Sequence, residues 1–358
     1  MKIFFVNSTH KWGGVKTWCL DMAAALRRAG HQACIFGRKG PFLEKAAERG
    51  LPARAVHFGP DFNPVLVFRF LGWFLTERPD FVVVNVSKDM RTAGVAARML
   101  GIPVILRVGA PMDFCDTWKV RATLRLVRPR LLTCSEFVRR KMCGHIPMLE
   151  GYDFVAIHPG VEIPPSPPQH VHSPRVLIAT SQLNPDKGHG ELLQAMADLR
   201  AKGFGFRCII LGTGRSEVEL KAQCTALGLD DVVEWRGFVK NVTEHLREAD
   251  IFILPTFCEP LGIALEEAMA AGLVPVARRA GGVPEIWPEA LRELCFSPGK
   301  RVAGLTEALE RVLSLPDDML LSWKEEAWRH AAKSFSVDDQ CRKMLAWLRR
   351  GGTQSGFL

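Results

Sequence analysis

Short apolar runs alternate with amphipathic segments along the first half of the chain. The runs end in glycine, proline or polar residues, as strands buried on both faces commonly do. The predicted strands are residues 3–7, 33–36, 81–86 and 104–108. Helices are predicted between them at residues 15–29, which Gly30 ends, and near residues 92–100. This alternation indicates an α/β fold with a doubly wound parallel sheet.

A second set of the same kind follows. Its predicted strands are residues 175–179, 207–211, 232–234, 251–254 and 274–277. The proline-dense residues 161–169 separate the two sets and are predicted to form a stiff connection between domains. An amphipathic closing helix is expected at residues 338–350, with a frayed tail at 351–358. A length of 358 residues also favours two domains over a single core.

Two carboxylates stand eight residues apart in one strand–loop–helix segment of the second set. Glu259 lies in the loop before the helix predicted at residues 263–271, which Gly272 ends, and Glu267 lies about two turns into that helix. The N-terminus of this helix faces the carboxyl edge of the sheet, which is where open parallel sheets bind phosphates. One acid can therefore reach a sugar hydroxyl while the other reaches a ribose. Alternatively, both are ordinary partners of the helix dipole, which is the preferred interpretation for Glu266.

At this segment the chain resembles the family 4 retaining glycosyltransferases, which carry an E-x7-E motif there. Further matching segments lie on both sides of it. They are Trp12-Gly13-Gly14-Val15, Ile157-His158-Pro159-Gly160-Val161-Glu162, Gly212-Thr213-Gly214, Arg236-Gly237-Phe238, Gly272-x-x-Pro275-Val276 and Gly281-Gly282-Val283-Pro284-Glu285. The resemblance implies the GT-B fold, in which two Rossmann-like domains face each other across a cleft. The expected domains are residues 1–163 joined by helix 336–350, on the acceptor side, and residues 164–335, which bind the nucleotide-sugar.

The resemblance assigns roles to residues at the donor site. Glu259 and Lys187 are the catalytic candidates, with Glu259 on the sugar and Lys187 on the diphosphate. A lysine near a helix start opposes the helix dipole, so it needs a reason beyond local stability. Gly13 and Gly14 let the backbone approach a phosphate closely where a strand meets a helix. The other donor-binding candidates are Gln182, Gly212, Gly214, Phe238, Gly262, Ile263 and Glu267.

Two features depart from the family pattern. An arginine usually stands five positions before the lysine and shares the diphosphate, but this chain has Gln182, which carries no charge. Arg107, Arg215 and Arg278 are unranked candidates for the missing cation. Histidines expected after two strands of the first domain are also replaced, by Asn85 and by Val108-Gly109. The candidates on the acceptor side are therefore Asn85, Lys88, Arg107 and Asp113.

Several kinds of site are disfavoured by the sequence. The ten cysteines form no C-x-x-C pair, and Gly212-Thr213-Gly214 lacks the third glycine of a dinucleotide fingerprint, since Glu217 takes its place. No D-x-D triplet suits a divalent ion, so we expect no metal and no cofactor beyond a UDP- or GDP-linked sugar as co-substrate. Cys258, which precedes Glu259, is a weak candidate for a catalytic thiol.

The positive charge lies in the first half of the chain. The net charge is +9, and residues 1–150 hold 24 Lys and Arg against 11 Asp and Glu. The aromatic residues 64–75 and a basic run follow in that half; the run is Lys119, Arg121, Arg125, Arg128, Arg130, Arg139, Arg140 and Lys141. Together they suggest a surface for an anionic membrane or an anionic glycan or lipid-linked acceptor. Alternatively, the first is a packed core helix and the second a solvated face.

Nucleic acid is not an expected partner, because no aromatic interleaving accompanies the basic residues. No apolar run reaches the roughly 18 residues of a membrane span. The expected location is the cytoplasm, with the inner face of the membrane as a site of contact.

The sequence thus predicts a metal-independent, retaining hexosyl- or related glycosyltransferase of surface polysaccharide or lipopolysaccharide assembly. The alternative is a non-catalytic relative whose site has decayed at Gln182 and Asn85. A phosphorylase or epimerase on the same fold is weaker, because the E-x7-E segment resembles the transferases more closely.

Overall fold

The computed structural model describes residues 1–10, 13–113 and 115–350. Trp12 of the N-terminal motif and the predicted tail at 351–358 lie outside these residues. The chain forms two compact units, one of residues 1–160 with 337–358 and one of residues 161–336. None of the helices in the described ranges is both long enough and apolar enough to cross a bilayer.

The first unit is built on a seven-stranded parallel sheet in the order β3-β2-β1-β4-β5-β6-β7. Its strands are β1 (Lys2–Asn7), β2 (Gln32–Gly37), β3 (Ala53–Ala55), β4 (Phe81–Val84), β5 (Val104–Val108), β6 (Arg130–Thr133) and β7 (Phe154–Ala156). Its helices up to residue 160 are α1 (Gly14–Arg28), α2 (Pro41–Glu48), α3 (Pro64–Glu77), α4 (Ser87–Asp89), α5 (Val95–Met99), α6 (Trp118–Val127) and α7 (Glu136–His145). A π-helical turn, Met90–Gly94, joins α4 to α5.

The second unit has a six-stranded parallel sheet in the order β10-β9-β8-β11-β12-β13. Its strands are β8 (Arg175–Thr180), β9 (Phe206–Leu211), β10 (Val233–Gly237), β11 (Ile251–Leu254), β12 (Val274–Arg278) and β13 (Cys295–Phe296). Its helices are α8 (His189–Ala201), α9 (Glu217–Ala226), α10 (Val242–Leu246), α11 (Ile263–Ala270), α12 (Arg301–Leu313) and α13 (Asp317–Ser334). Two parallel sheets with helices confirm the predicted α/β fold class.

The helix that follows the second unit packs into the first. Helix α14 (Val337–Arg350) contributes Cys341, Met344 and Leu348 to the core that contains Trp18 of α1. Its Trp347 ring lies 3.9 Å from the guanidinium carbon of Arg130, and its indole N–H donates to Asp153 at 3.1 Å. The first unit therefore needs a segment from beyond residue 336 to complete its core.

The proline-rich segment at residues 161–169 belongs to the second unit rather than spanning freely between two domains. The carbonyl of Pro164 accepts a hydrogen bond from the Trp328 indole at 3.1 Å. Pro168 lies against Gly272, where a Cβ would come within 2.2 Å of its ring. Glycine at this helix end therefore serves both the left-handed turn, with φ 75°, and the close approach of the proline.

A buried ion pair ties α13 to the second sheet. Lys324 and Asp250 are each at most 1% exposed, and their side chains are 2.8 Å apart. The Asp250 carboxylate also accepts from the Val176 backbone N–H at 3.0 Å and from the backbone and ring of His172. Burial opposes ionisation, yet Lys324 and these donors leave the pKa of Asp250 below its usual value. The end of the loop before β11 is thereby fixed.

Candidate functional site

Four loops at the carboxyl edge of the second sheet carry most of the predicted donor-site residues. They follow β8, β9, β11 and β12, which are neighbouring parallel strands and so end at the same edge. The loop after β8 carries Gln182 and Lys187, and the loop after β11 carries Glu259. The predicted residues therefore converge, although they are up to 77 positions apart in the chain, from 182 to 259.

Lys187 and Glu259 form an ion pair. The Lys187 ammonium lies 3.3 Å from a carboxylate oxygen of Glu259 and 3.7 Å from one of Asp186. The side chains of Lys187 and Glu259 are 20% and 19% exposed, so both remain accessible from solvent. A cation and a carboxylate that can accept hydrogen bonds thus lie side by side. A donor diphosphate requires the cation, and sugar hydroxyls require the carboxylate.

Glycines hold these two loops against their neighbours through the backbone. A Cβ on Gly188 would lie 2.2 Å from the carbonyl oxygen of Pro255, and one on Gly281 would lie 1.9 Å from that of Glu259. Backbone hydrogen bonds accompany the contacts, from Phe257 N–H to Asp186 at 2.9 Å and from Gly282 N–H to Glu259 at 2.9 Å. Both glycines have positive φ, 75° and 59°. No residue with a side chain fits either position without moving a loop.

The loop after β9 is locked to the segment around Gln182 in the same way. A Cβ on Gly212 would meet the carbonyl oxygen of Ser181 at 1.9 Å, and one on Gly214 would meet that of Leu183 at 2.4 Å. The Leu183 N–H donates to the Thr213 carbonyl at 3.0 Å, and the Ser216 N–H donates to the Leu183 carbonyl at 2.9 Å. Gly212 and Gly214 therefore allow the loops after β8 and β9 to pack backbone against backbone. This structural role is separate from any contact with a ligand.

Gln182 and Arg215 occupy adjacent places in this locked pair of loops. Gln182 is exposed, and its side-chain oxygen accepts from Asn184 at 3.0 Å. Arg215 is exposed and lies between the two residues, Gly214 and Ser216, that contact Leu183. Its guanidinium makes no hydrogen bond or ion pair with any residue that the structure describes. It is available to an anion at this edge.

Arg278 is not available in this way. It is 1% exposed, pairs with Glu191, and donates to the carbonyls of Pro255 and Pro298 at 3.2 Å each. Its guanidinium also lies 4.5 Å and 5.2 Å from the ring centres of Phe257 and Phe296. Of the three arginines left unranked by the sequence, Arg278 is thus structural, and Arg107 lies in the first unit.

Helix α11 begins immediately after the Glu259 loop. Gly262 caps it with φ 108°, and no side chain caps its N-terminus. Ile263 and Glu267 are half-buried on the helix, whereas Glu266 is fully buried. Glu266 lies in the first turn of α11, so the interpretation of it as a partner of the helix dipole stays a prediction.

Phe238, the remaining donor-side candidate, follows β10 and is 73% exposed. The predicted roles of Phe238, Gly262, Ile263 and Glu267 toward a donor stay predictions.

His189 is a residue that the sequence analysis passed over. It opens α8, is 2% exposed, and its Nε2 lies 2.8 Å from the Ser181 hydroxyl. Burial, and then the charge of Lys187, lower the pKa of His189 to about 4, so its ring is neutral at physiological pH. The sequence feature that could have identified His189 as a candidate is its position two residues after Lys187.

In the first unit, Gly13 and Gly14 stand at the start of α1. Gly14 is the first helical residue, and the Gly13 carbonyl accepts from the Lys16 N–H at 2.9 Å. Both glycines are exposed, and the first turn of the helix holds no acid. The helix N-terminus is thus open to an anion, and phosphate binding there stays a prediction.

The four acceptor-side candidates differ in access. Asn85 is 2% exposed and donates to the Val6 carbonyl at 3.0 Å, and Lys88 donates to the Gly59 carbonyl. Exposed Asp113 accepts from the backbone N–H groups of Gly109 and Ala110 at 3.0 and 2.8 Å, which closes the turn after β5. All three have structural contacts, so their roles toward an acceptor also stay predictions.

Arg107, at the end of β5, belongs to a cluster of buried polar residues with Asp89 and Cys19. It is 2% exposed, with its guanidinium 4.9 Å from the Trp18 ring, and its Nε and Nη1 have no hydrogen-bond partner among the described residues. Nearby, Asp89 is fully buried and accepts from the Ser8 N–H at 3.1 Å. Burial raises the pKa of Asp89 to about 7, and that of the Cys19 thiol to about 12.

Two family models match the chain. One, described as glycosyl transferases group 1, matches residues 164–331, and one, described as a glycosyl transferase 4-like domain, matches residues 13–142. Together they span most of both units.

Curated relatives match over shorter stretches. The chain is 32% identical over 193 residues to a putative colanic acid biosynthesis glycosyltransferase of Escherichia coli, which covers 52% of this chain and 47% of the relative. It is 34% identical over 124 residues to an amylovoran biosynthesis glycosyltransferase of Erwinia amylovora, covering 32% of this chain and 30% of the relative. The chain thus spans less than half the length of these two relatives.

Solved structures match over nearly the whole chain. A glycosyltransferase of Rickettsia africae has a TM-score of 0.80 at 17% identity and covers 99% of both chains. The Anabaena protein Alr3699/HepE, solved in complex with UDP and glucose, has a TM-score of 0.77 at 20% identity, covering 98% of this chain and 100% of its own. At such identities the likeness shows the fold.

The locking of loops through Gly281 can be tested by Gly281→Ala. We expect the free energy of unfolding to fall by about 2 to 4 kcal/mol, because the new Cβ both strains a left-handed residue and overlaps the Glu259 carbonyl. Gly203→Ala is the matched control, since Gly203 has φ 86° but nothing within 4 Å of its Cβ position. Urea unfolding of both variants measures the difference, and equal costs would show that the two loops are not locked.

Proposed function

Because the chain belongs to the glycosyltransferases of the group 1 and 4-like families, with their two-unit GT-B fold, we propose that it transfers a sugar from a nucleotide-sugar to an acceptor. The observation that carries this proposal is the Lys187–Glu259 pair, 3.3 Å apart at the carboxyl edge of the second sheet. The family model that matches residues 164–331 includes both residues.

The geometry suggests how the pair acts. Without donor, each side chain neutralises the other. A donor diphosphate would draw the Lys187 ammonium to its own oxygens and so stabilise the negative charge that grows on the leaving nucleotide. Glu259 is then free to accept hydrogen bonds from sugar hydroxyls as the ring becomes oxocarbenium-like. The ion pair thus places a cation and a carboxylate side by side for these two tasks.

Retention of configuration and independence from a metal are parts of this proposal. Retention rests on the resemblance of the E-x7-E segment, with Glu267 directed to the ribose. Metal independence rests on cations of the second unit itself, Lys187 and Arg215, together with the backbone N–H groups at the start of α11.

UDP and GDP are the proposed donor nucleotides. Support for UDP comes from a similarly folded protein solved with UDP and glucose. The proposed acceptor is a glycan or lipid-linked glycan of a bacterial surface polysaccharide or lipopolysaccharide. Its support is the similarity to relatives named for colanic acid and amylovoran biosynthesis.

The proposal predicts release of nucleoside diphosphate from one member of a panel of UDP-, GDP- and ADP-sugars. Glu259→Gln and Lys187→Ala should each lower kcat/KM by about 10²-fold or more, as the loss of one preorganised charged group does. Lys240→Ala, at an exposed lysine of the same unit, is the control and should leave the rate unchanged.

Nucleotide binding without release, with every donor and with acceptor glycans added, would contradict the proposal. It would favour the non-catalytic relative, for which Gln182 in place of arginine is the supporting observation.

We propose that Arg215 supplies the second cation of the diphosphate site. Arg215→Ala should raise the Kd for the donor about tenfold, which is the loss of one charge-assisted hydrogen bond to a phosphate. Gln182→Arg should restore affinity in the Arg215→Ala background and change it little in the wild type, because both positions would serve one diphosphate.

Arg247→Ala is the control for that experiment, because Arg247 is also an exposed arginine of the second unit. Titration calorimetry with the donor nucleotide measures the affinities of the wild type, the two single variants, the double variant and the control. Strictly additive effects of the two substitutions would contradict a shared ligand.

The proposed membrane contact is argued from the exposed face of helix α3. Helix α3 buries Leu66, Phe70 and Phe74, so the core-helix interpretation holds for that face. Its other face exposes Val65, Phe68 and Leu75, which are 73%, 70% and 60% exposed. These positions follow one another at helical spacing and form an apolar stripe, which we call the α3 stripe.

The residues of the basic run differ in ion pairing, which the sequence does not show. Arg121 pairs with Asp116 through two hydrogen bonds, and Arg130 pairs with Asp153. Arg125 and Arg128 on or beside α6 are exposed, as is Trp118 at 75%. We therefore propose that the α3 stripe, with unpaired basic residues of the first unit, rests on an anionic membrane.

Vesicle sedimentation tests this surface. Val65→Ser, Phe68→Ser and Leu75→Ser together should reduce binding to vesicles of phosphatidylglycerol and phosphatidylcholine at least about tenfold, since three apolar side chains no longer enter the interface. Val218→Ser, at an 81% exposed valine of the second unit, is the control. Unchanged binding by the triple variant would exclude the α3 stripe as the contact.

A further inference from the structure

A groove lined by basic residues lies at the carboxyl ends of the first three strands of the first sheet. It encloses about 460 Å³ and is bordered by Ala55 and Val56. The side chains that line it otherwise are all cationic or imidazole: His10, Arg38, Lys39, His57 and Arg69. Arg38 and Lys39 follow β2, and His57 follows β3, so the groove lies where open parallel sheets bind their ligands.

The three full cations of the groove have no carboxylate partner in the described part of the chain. Arg38 donates to the Ser8 carbonyl at 2.6 Å, and its guanidinium lies 5.3 Å from the Phe58 ring. Arg69 stacks on Trp73 at 5.0 Å, and Lys39 is exposed. These contacts fix the orientation of the two guanidinium groups but leave their charge uncompensated.

Several other basic side chains of the same unit are paired with carboxylates. On the neighbouring face, one carboxylate, Glu77, serves both Lys2 and Arg54 at 2.5 Å. Arg38 also lies close enough to Lys16, beside the groove, to disfavour a second positive charge there. The pKa of Lys16, whose ammonium donates to the His10 carbonyl at 3.2 Å, is lowered by burial and then by Arg38.

We propose that this groove binds a phosphate or diphosphate ester group of the acceptor. Guanidinium groups bind phosphate oxygens through paired hydrogen bonds, and three unpaired cations match the charge of such a group. A volume of about 460 Å³ is within the range of small-ligand sites and admits a sugar attached to the phosphate. The inference rests on the proposed glycosyltransferase function, whose donor diphosphate is assigned to the other unit.

The position of Arg69 connects the groove to the α3 stripe. Arg69 follows Phe68, an exposed member of the stripe, on the same helix. A ligand with an anionic group in the groove could therefore extend an apolar chain along the α3 stripe. This arrangement favours an amphiphilic, lipid-linked phosphate over a free sugar phosphate as the acceptor.

Inorganic pyrophosphate is the probe for the site. Its affinity is measured by titration calorimetry on the full chain carrying Lys187→Ala, which weakens binding at the donor site. In that background, Lys39→Glu with Arg69→Glu should raise the Kd at least about tenfold, because each exposed cation loses a charge-assisted contact and gains a repulsion. Arg98→Glu with Arg140→Glu makes the same charge change at exposed arginines outside the groove and should leave the Kd unchanged.

Further measurements separate the outcomes. Equal thermal unfolding of the two double variants shows that both fold, and equal pyrophosphate affinity in them would overturn the site. Donor cleavage without acceptor, measured with Lys187 intact, should survive the groove substitutions. Failure of the wild type to cleave any donor, even with acceptor glycans added, would remove the proposed function while leaving the anion site in place. Glycerol phosphate that binds the Lys187→Ala chain more tightly than pyrophosphate, and loses this affinity in the groove variant, would assign the site to a phospholipid head group and overturn the acceptor assignment.

Discussion

Backbone carbonyls in direct contact with glycine Cα atoms fix the carboxyl edge of the second sheet. The loops after β8, β9, β11 and β12 are joined by such contacts at Gly188, Gly212, Gly214 and Gly281, each too close for a Cβ. These loops come from four different strands, so their side chains would otherwise move independently. Because the backbones touch, main-chain packing fixes the positions from which the side chains of Lys187 and Glu259 project. Such positioning lowers the entropic cost of assembling a charged site.

Charge in this protein is divided between structural and available groups. Arg278, Lys324 and Arg130 are stacked, buried or paired, and each joins a loop or helix to a sheet. Arg215 and Lys39 stand at strand ends without a carboxylate partner in the described ranges. The net charge does not reveal this division, because structural and available cations contribute equally to it. The arginines that matter for binding are those whose neighbours do not already compensate them.

Much of the fold and part of the site could be read from the sequence, for identifiable reasons. Strands such as β1 and β11 are buried on both faces, so their apolar runs stand out, and glycines marked the helix ends. Strand β3 is exposed throughout and β13 has two residues, so neither carries a hydrophobic pattern. The placement of Lys187 and Glu259 at one site came from the family resemblance, and the edge shared by the ends of β8 and β11 is its physical reason. The burial of Glu266 and of Arg278 could not be predicted, because it depends on which elements pack across them.

The contribution of α14 to the first unit has a consequence for biosynthesis. Residues 161–336 fold as one contiguous unit, but the first unit requires Val337–Arg350 to cover Trp18 and its neighbours. During translation, every residue of the second unit is therefore made before the last helix of the first unit's core, although synthesis of the first unit begins earlier. Until α14 leaves the ribosome, an apolar face of α1 stays uncovered. The first unit is thus begun first but can complete its core only after residues 161–336 have been made, and its uncovered α1 face is meanwhile open to aggregation or to chaperone binding.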